Sequence, residues 1–116
     1  MLSLPTQTRI YLCVAPTDLR KSFDGLSGLV QSVFQRDVLD GHLFLFLNRR
    51  RDRLKALFWD HDGFVLWYKR LESGTFELPA SRDDSQQLEL DARDLAMLLA
   101  GVSLSSPKRR RYAAAG

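Results

Sequence analysis

One cysteine, two histidines and four prolines among 116 residues remove several kinds of protein at the outset. A lone thiol, Cys13, closes no internal disulfide, which excludes a small disulfide-framed scaffold. His42 and His61 stand far apart in the chain, and neither HxxxH nor CxxC spacing occurs, so the usual zinc-ligand patterns are missing. No apolar run comes near the roughly 20 residues that span a bilayer, so no membrane partner is expected. Residues 1–5 carry neither a basic leader nor an apolar core; no secretory signal is expected, and the expected location is cytoplasmic. What is present, 45% hydrophobic and 27% charged residues, is the balance of a globular domain rather than a collagen-like repeat or coiled coil.

The net charge of +3 conceals a strong local bias. Without the four cations of Lys108, Arg109, Arg110 and Arg111, the remaining chain sums to −1. Within that remainder, Arg49, Arg50, Arg51, Arg53 and Lys55 crowd together with only Asp52 among them.

Hydrophobic periodicity orders the chain into elements. Residues 9–14 read as a strand closed by Ala15-Pro16. Thr17 or Asp18 then offers an N-cap for a long helix running to about Gln35. Its apolar residues Leu19, Phe23, Leu26, Val30, Val33 and Phe34 fall on one stripe. Gly25 and Gly28 either weaken this helix or mark close packing against a sheet. Residues 43–47 are continuously apolar, as in a central strand covered on both faces. Residues 53–59 and 64–70 form a hairpin around Asp60-His61-Asp62-Gly63, where Gly63 is expected to supply a positive φ. A brief strand over residues 75–78, a polar loop over 81–85 and a last strand over 87–90 follow. Asp91 caps a short helix with Ala92, Leu95, Ala96, Leu99 and Val102 on one face and Gly101 near its end.

The expected class is α+β: a mostly antiparallel β-sheet covered by one long and one short α-helix, as a single domain over residues 1–102. Residues 103–116 read as a basic, flexible tail, either an electrostatic arm or a solubilising end.

No constellation for catalysis emerges, and the expectation is a protein that is not an enzyme. Two positions before Lys21, Lys55, Lys69 and Lys108 stand Leu19, Arg53, Trp67 and Ser106, so the acidic-x-Lys strand signature of metal nucleases is absent. No Gly-x-Ser-x-Gly elbow and no Gly-rich phosphate loop occur, and no cofactor is expected. Asp60, His61 and Asp62 could hold a hard cation weakly or could simply build a hairpin tip.

The arginine cluster is the stronger signal. If Arg49, Arg50, Arg51, Arg53 and Lys55 face one way, they form a phosphate-binding patch, with Lys69 and Arg70 from the neighbouring strand. Arg20 and Lys21, in the first turn of the expected helix, extend it. The alternative is a solvated hairpin tip whose arginines pair with Asp52, Asp60 and Asp62. Phe58, Trp59, Phe64, Trp67 and Tyr68 read mainly as core, against a stacking platform for unpaired bases. Trp67 and Tyr68 are the candidates for exposed, partner-binding positions.

Three segments together carry a resemblance. They are Thr17-Asp18-Leu19-Arg20-Lys21-Ser22-Phe23-Asp24-Gly25-Leu26, then Asn48-Arg49-Arg50-Arg51-Asp52-Arg53-Leu54-Lys55, then Phe58-Trp59-Asp60-His61-Asp62-Gly63-Phe64 continuing through Trp67-Tyr68-Lys69-Arg70 to Phe76. Over residues 8–102 the chain resembles the small accessory TnpB protein, the second-open-reading-frame product, of bacterial insertion sequences of the sixty-six type. This is not the RNA-guided nuclease that shares the name. Leu19 stands where methionine is common, Ser22 where glycine is common, Val38 near a frequent proline and Leu78 where tryptophan is frequent.

The resemblance implies a protein encoded beside a transposase and assisting transposition, with strand cleavage left to the transposase. The expected function is therefore a non-enzymatic accessory factor binding DNA or the transposase–DNA complex. The alternatives are a protein–protein adaptor for the transposase and a metal nuclease using Asp60 and Asp62. Expected partners are DNA, the transposase of the same element and a second copy of the chain.

Overall fold

The computed structural model describes residues 7–78 and 86–100. Its elements are β1 (Ile10–Cys13), α1 (Phe23–Leu29), β2 (Leu43–Leu47), β3 (Arg53–Asp60), β4 (Gly63–Arg70), β5 (Gln87–Leu90) and α2 (Ala92–Leu99). The five strands lie in the order β4-β3-β2-β1-β5. The β2–β3, β3–β4 and β1–β5 pairs are antiparallel, but β1 and β2 run parallel with Ile10 opposite Leu43. The sheet is therefore mixed. Parallel neighbours cannot be joined by a tight turn, and the segment bearing α1 supplies the required crossover.

Strand alternation sorts the core into two halves. Ile10, Leu12, Leu43, Leu45, Leu47, Leu54, Ala56 and Phe58 point to one face, where they meet Leu98 of α2 and the buried Phe76. Tyr11, Cys13, Phe44, Phe46 and Leu57 point to the other, where they meet Leu26, Val30 and Phe34. This is why residues 43–47 are continuously apolar: β2 is central and buried on both faces. Each fully buried leucine or phenylalanine here contributes roughly 1.5–3 kcal/mol by leaving water.

The expected long helix is shorter and begins later. Thr17 donates its N–H to the Leu47 carbonyl (2.8 Å), which ties this segment to the end of β2 instead of starting a helix. The Asp18 carboxylate accepts from the Arg20 N–H at 3.0 Å, a local turn that competes with helical bonding. Ser22 occupies the N-cap position, α1 covers seven residues, and a π-helical turn over Val30–Phe34 follows. That wider turn keeps Val30 and Phe34, four apart, closer to one line, and both are buried. Gly25 and Gly28 are exposed, and a Cβ on Gly28 would meet nothing within 4 Å. Close approach to the sheet is therefore not what Gly28 provides.

Three smaller expectations are also corrected. The positive φ in the β3–β4 hairpin falls on His61 (59°), not on Gly63, because the two turn residues are His61 and Asp62. Residues 75–78 form no strand: a single bond from the Phe76 N–H to the Arg51 carbonyl (2.6 Å) pins the buried ring into the core. In α2 the expected Leu95 and Leu99 do pack against the core, but the buried residue is Leu98, and Ala92 and Ala96 are exposed, so the apolar stripe is rotated from the expected one. Asp91 does cap α2, accepting from the Asp94 N–H at 2.7 Å within a capping box. Gly101, Val102, the loop over 81–85 and the tail over 103–116 lie outside the described residues.

Candidate nucleic-acid interface

The parallel register of β1 and β2 brings their carboxyl ends to one end of the sheet, where β3 begins and β4 finishes. The β2–β3 loop crosses this end, and Asn48 organises it. The Asn48 side-chain oxygen accepts from the backbone N–H groups of Asp52 (3.1 Å) and Arg53 (3.0 Å). Its amide donates to the Asp52 carboxylate at 2.6 Å. Arg51 closes the turn with a bond to the Asn48 carbonyl (3.1 Å) and sits in the left-handed region at φ 58°. The Asp52 and Arg51 carbonyls accept from Leu71 and Phe76. Asn48 and residues 51–53 are thus tied down, and Arg49 and Arg50 are carried between them.

Those arginines are electrostatically unspent. Arg49, Arg50, Arg51 and Arg53 are all exposed, and no carboxylate among the described residues forms a salt bridge with any of them. Asp60 and Asp62 cannot serve, because the eight residues of β3 place the hairpin tip about 25 Å away. The Asn48 amide holds the Asp52 carboxyl below its ordinary range, helped by nearby Arg53 and Arg50. Arg53 lies directly opposite Arg70 across the β3–β4 ladder, a like-charge pairing that disfavours the sheet unless an anion joins it.

A cleft of about 550 Å³ opens beside this loop. Arg49, Arg50, Arg53 and Tyr68 line it together with Thr17, Asp18 and Arg20. Arg20 is paired with Asp18 at 2.8 Å, and its guanidinium holds the Asp18 carboxyl down to about 2. The Lys55 ammonium donates to the Lys21 carbonyl (2.9 Å) and lies 5.5 Å from the Tyr68 ring centre. Arg70 holds Glu72 at 3.5 Å in an exposed pair.

Strand parity separates the expected site residues. Arg53, Lys55, Tyr68 and Arg70 share the face that carries α1, whereas Leu54, Ala56, Trp67 and Lys69 share the opposite one. Lys69 donates to the Leu99 carbonyl at 2.6 Å and so satisfies the carboxyl end of α2. Trp67 packs half-buried against the α2-side core, while Tyr68 is 50% exposed. Asn48, Asp52, Thr17 and Asp18 were not among the expected site residues. The sequence signal for Asn48 and Asp52 is that they bracket three arginines, a turn-forming pattern.

Other reactive side chains are placed as structure. Burial pushes the Cys13 thiol up, and the residue is enclosed in the α1-side core. His42 accepts from the Arg9 N–H at 3.1 Å. Among the described residues no group of three His, Cys, Asp or Glu side chains converges on a metal-sized space, and no helix is long and apolar enough to cross a membrane.

The structure is thus a small mixed-sheet domain with an arginine-bearing loop at one end. The family of IS66 Orf2-like proteins matches residues 8–109, and the chain belongs to that family. It is 35% identical over 102 residues to an uncharacterized protein of Sinorhizobium fredii, y4jC, covering 88% of this chain and 86% of the relative. A second uncharacterized protein of that organism, y4hO, is 32% identical over 108 residues, covering 93% and 92%. No solved structure matches. Membership points to an accessory part in transposition.

Proposed function

We propose that this chain is a non-enzymatic accessory factor of transposition that grips the DNA backbone, alone or together with the transposase. The observation that carries the reading is the set of exposed, unpaired Arg49, Arg50, Arg51 and Arg53 on a hydrogen-bonded loop beside an open cleft. Guanidinium groups on a hydrogen-bonded loop suit bidentate phosphate contacts, because little loop ordering remains to oppose binding. Lys55, Arg70, Arg20 and Lys21 form the rim, with part of the Arg20 charge taken by Asp18. Lys69 serves α2 and stands outside the reading. The binding unit is taken as residues 1–102.

Fluorescence anisotropy with labelled element-end DNA and a scrambled duplex over a salt series tests this. Affinity should fall by about one log unit per log unit of salt for each phosphate neutralised. Replacing Arg49, Arg50 and Arg53 together by alanine should lower that slope by about 2–3, whereas Lys69→Ala should leave it unchanged. Absence of binding at low salt would overturn the proposal and favour the adaptor reading, with the transposase as the partner to test.

A further inference from the structure

The two edges of the sheet are treated very differently. β5 is an edge of four residues carrying an exposed Glu89. β4 is an edge of eight residues, with no proline, no bulge in its register and no charge between Phe64 and Tyr68. Among the described residues no backbone group bonds to its outer side. A long, straight, apolar edge is a template for another strand, and proteins usually blunt one that has no partner.

His61 and Asp62 form a two-residue turn, so Asp60 and Gly63 exchange the closing hydrogen bonds. Bonding alternates from there, and Val65, Trp67 and Lys69 turn their backbones toward β3. Phe64, Leu66, Tyr68 and Arg70 turn theirs outward. A second copy of the same strand, laid antiparallel, must match outward residues with outward residues. In the register centred on Leu66, each Leu66 meets its own counterpart, Phe64 meets Tyr68, and Asp62 meets Arg70. Charge is then complementary at both ends and apolar side chains meet between them. Phe64, Leu66, Tyr68 and Arg70 lie on the α1 face, where Phe64 is 37% and Tyr68 50% exposed.

From this we infer that the chain pairs with a second copy of itself through β4, making one continuous ten-stranded sheet about a two-fold axis at Leu66. The occupant is another copy because the edge is self-complementary: the acidic hairpin tip and the basic strand end flank the two ends of β4, spaced to meet their opposites after rotation. The exposed Arg70–Glu72 pair at 3.5 Å is easily exchanged for Arg70 with Asp62 of the other copy. Arg70 and Tyr68 are shared with the phosphate surface, but the pairing does not depend on DNA.

Positional cross-linking in the full chain, without DNA, tests the inference. Opposed bonded residues stand about 5.5 Å apart at Cα, within disulfide reach. Leu66→Cys should therefore oxidise to a covalent dimer, and Phe64→Cys should not. Cys13 is buried and will not interfere. Sedimentation of the unmodified chain should show a reversible dimer. Asp62→Arg alone should weaken it by at least about tenfold, and adding Arg70→Asp should restore it. A strictly monomeric chain would overturn the inference and leave the edge to a strand of a different protein. Cross-linking at position 64 but not 66, or a dimer indifferent to the charge swap, would overturn the register and with it the argument from self-complementarity.

Discussion

The two faces of the β3–β4 hairpin are made from alternate residues of the same two strands, yet they meet opposite environments. On one face Leu54, Ala56 and Phe58 are buried, with Trp67 and Val65 packed half-buried against them, and even Lys69 finds a helix carbonyl. On the other, toward the strand ends, Arg53, Arg70 and Tyr68 are exposed, and like charges stand opposite one another. Residues adjacent in sequence thus divide between holding the fold and presenting charge. Of the two lysines near the arginine loop, parity along the strands puts Lys55 on the α1 face and Lys69 on the face of α2.

The sharpest way to break that comparison is to mutate neighbours. Leu54→Ala removes a fully buried side chain and should destabilise by about 2–5 kcal/mol. Arg53→Ala, one residue away, should change stability by no more than about 0.5 kcal/mol, or raise it slightly by relieving the repulsion with Arg70. Chemical denaturation of both variants measures the difference. Next in size, Lys69→Ala leaves the Leu99 carbonyl without its donor and should cost about 1–2 kcal/mol. The same variant should bind DNA like the parent, a dissociation that calorimetry and anisotropy on one sample would reveal.

The smallest effect concerns the rim. The Asp18 carboxyl is held down to about 2 by Arg20, below the roughly 3.9 of an unfolded aspartate. Its ionised form therefore stabilises the folded state above about pH 4, and that contribution disappears as pH falls through about 2. Because the pair is exposed, the effect should be weak and salt-sensitive. An NMR titration should find the Asp18 midpoint near 2, moving up toward 3.9 in Arg20→Ala; an unmoved midpoint would assign the shift elsewhere.

Much of this architecture is legible in the residues, for identifiable reasons. The uninterrupted apolar run over Leu43–Leu47 announces a strand covered on both sides, and Asp91 followed by Asp94 announces a helix start. The β3–β4 hairpin follows from two aromatic-rich runs flanking turn residues. The start of α1 was not legible, because Thr17 is held by the Leu47 carbonyl, a contact between segments remote in sequence. The parallel β1–β2 pair is hidden for a similar reason: alternation reports which face a residue occupies, not the direction of its neighbour. The arginine cluster was visible, but the placement of Lys69 depended on where α2 docks, which no local pattern contains.

The position of β1 has a consequence for how the chain is made. β1 emerges first, yet its two neighbours are β2 and the much later β5. Its β2 side can be satisfied once residues 43–47 have left the ribosome, but its other side stays open until Gln87–Leu90 arrive. At about 5–20 residues per second, that leaves a central strand half-paired for several seconds of synthesis. Of the five strands the last to be translated is the one that covers β1, so a nascent chain interrupted before it would carry an open apolar edge at a strand that the finished protein pairs on both sides.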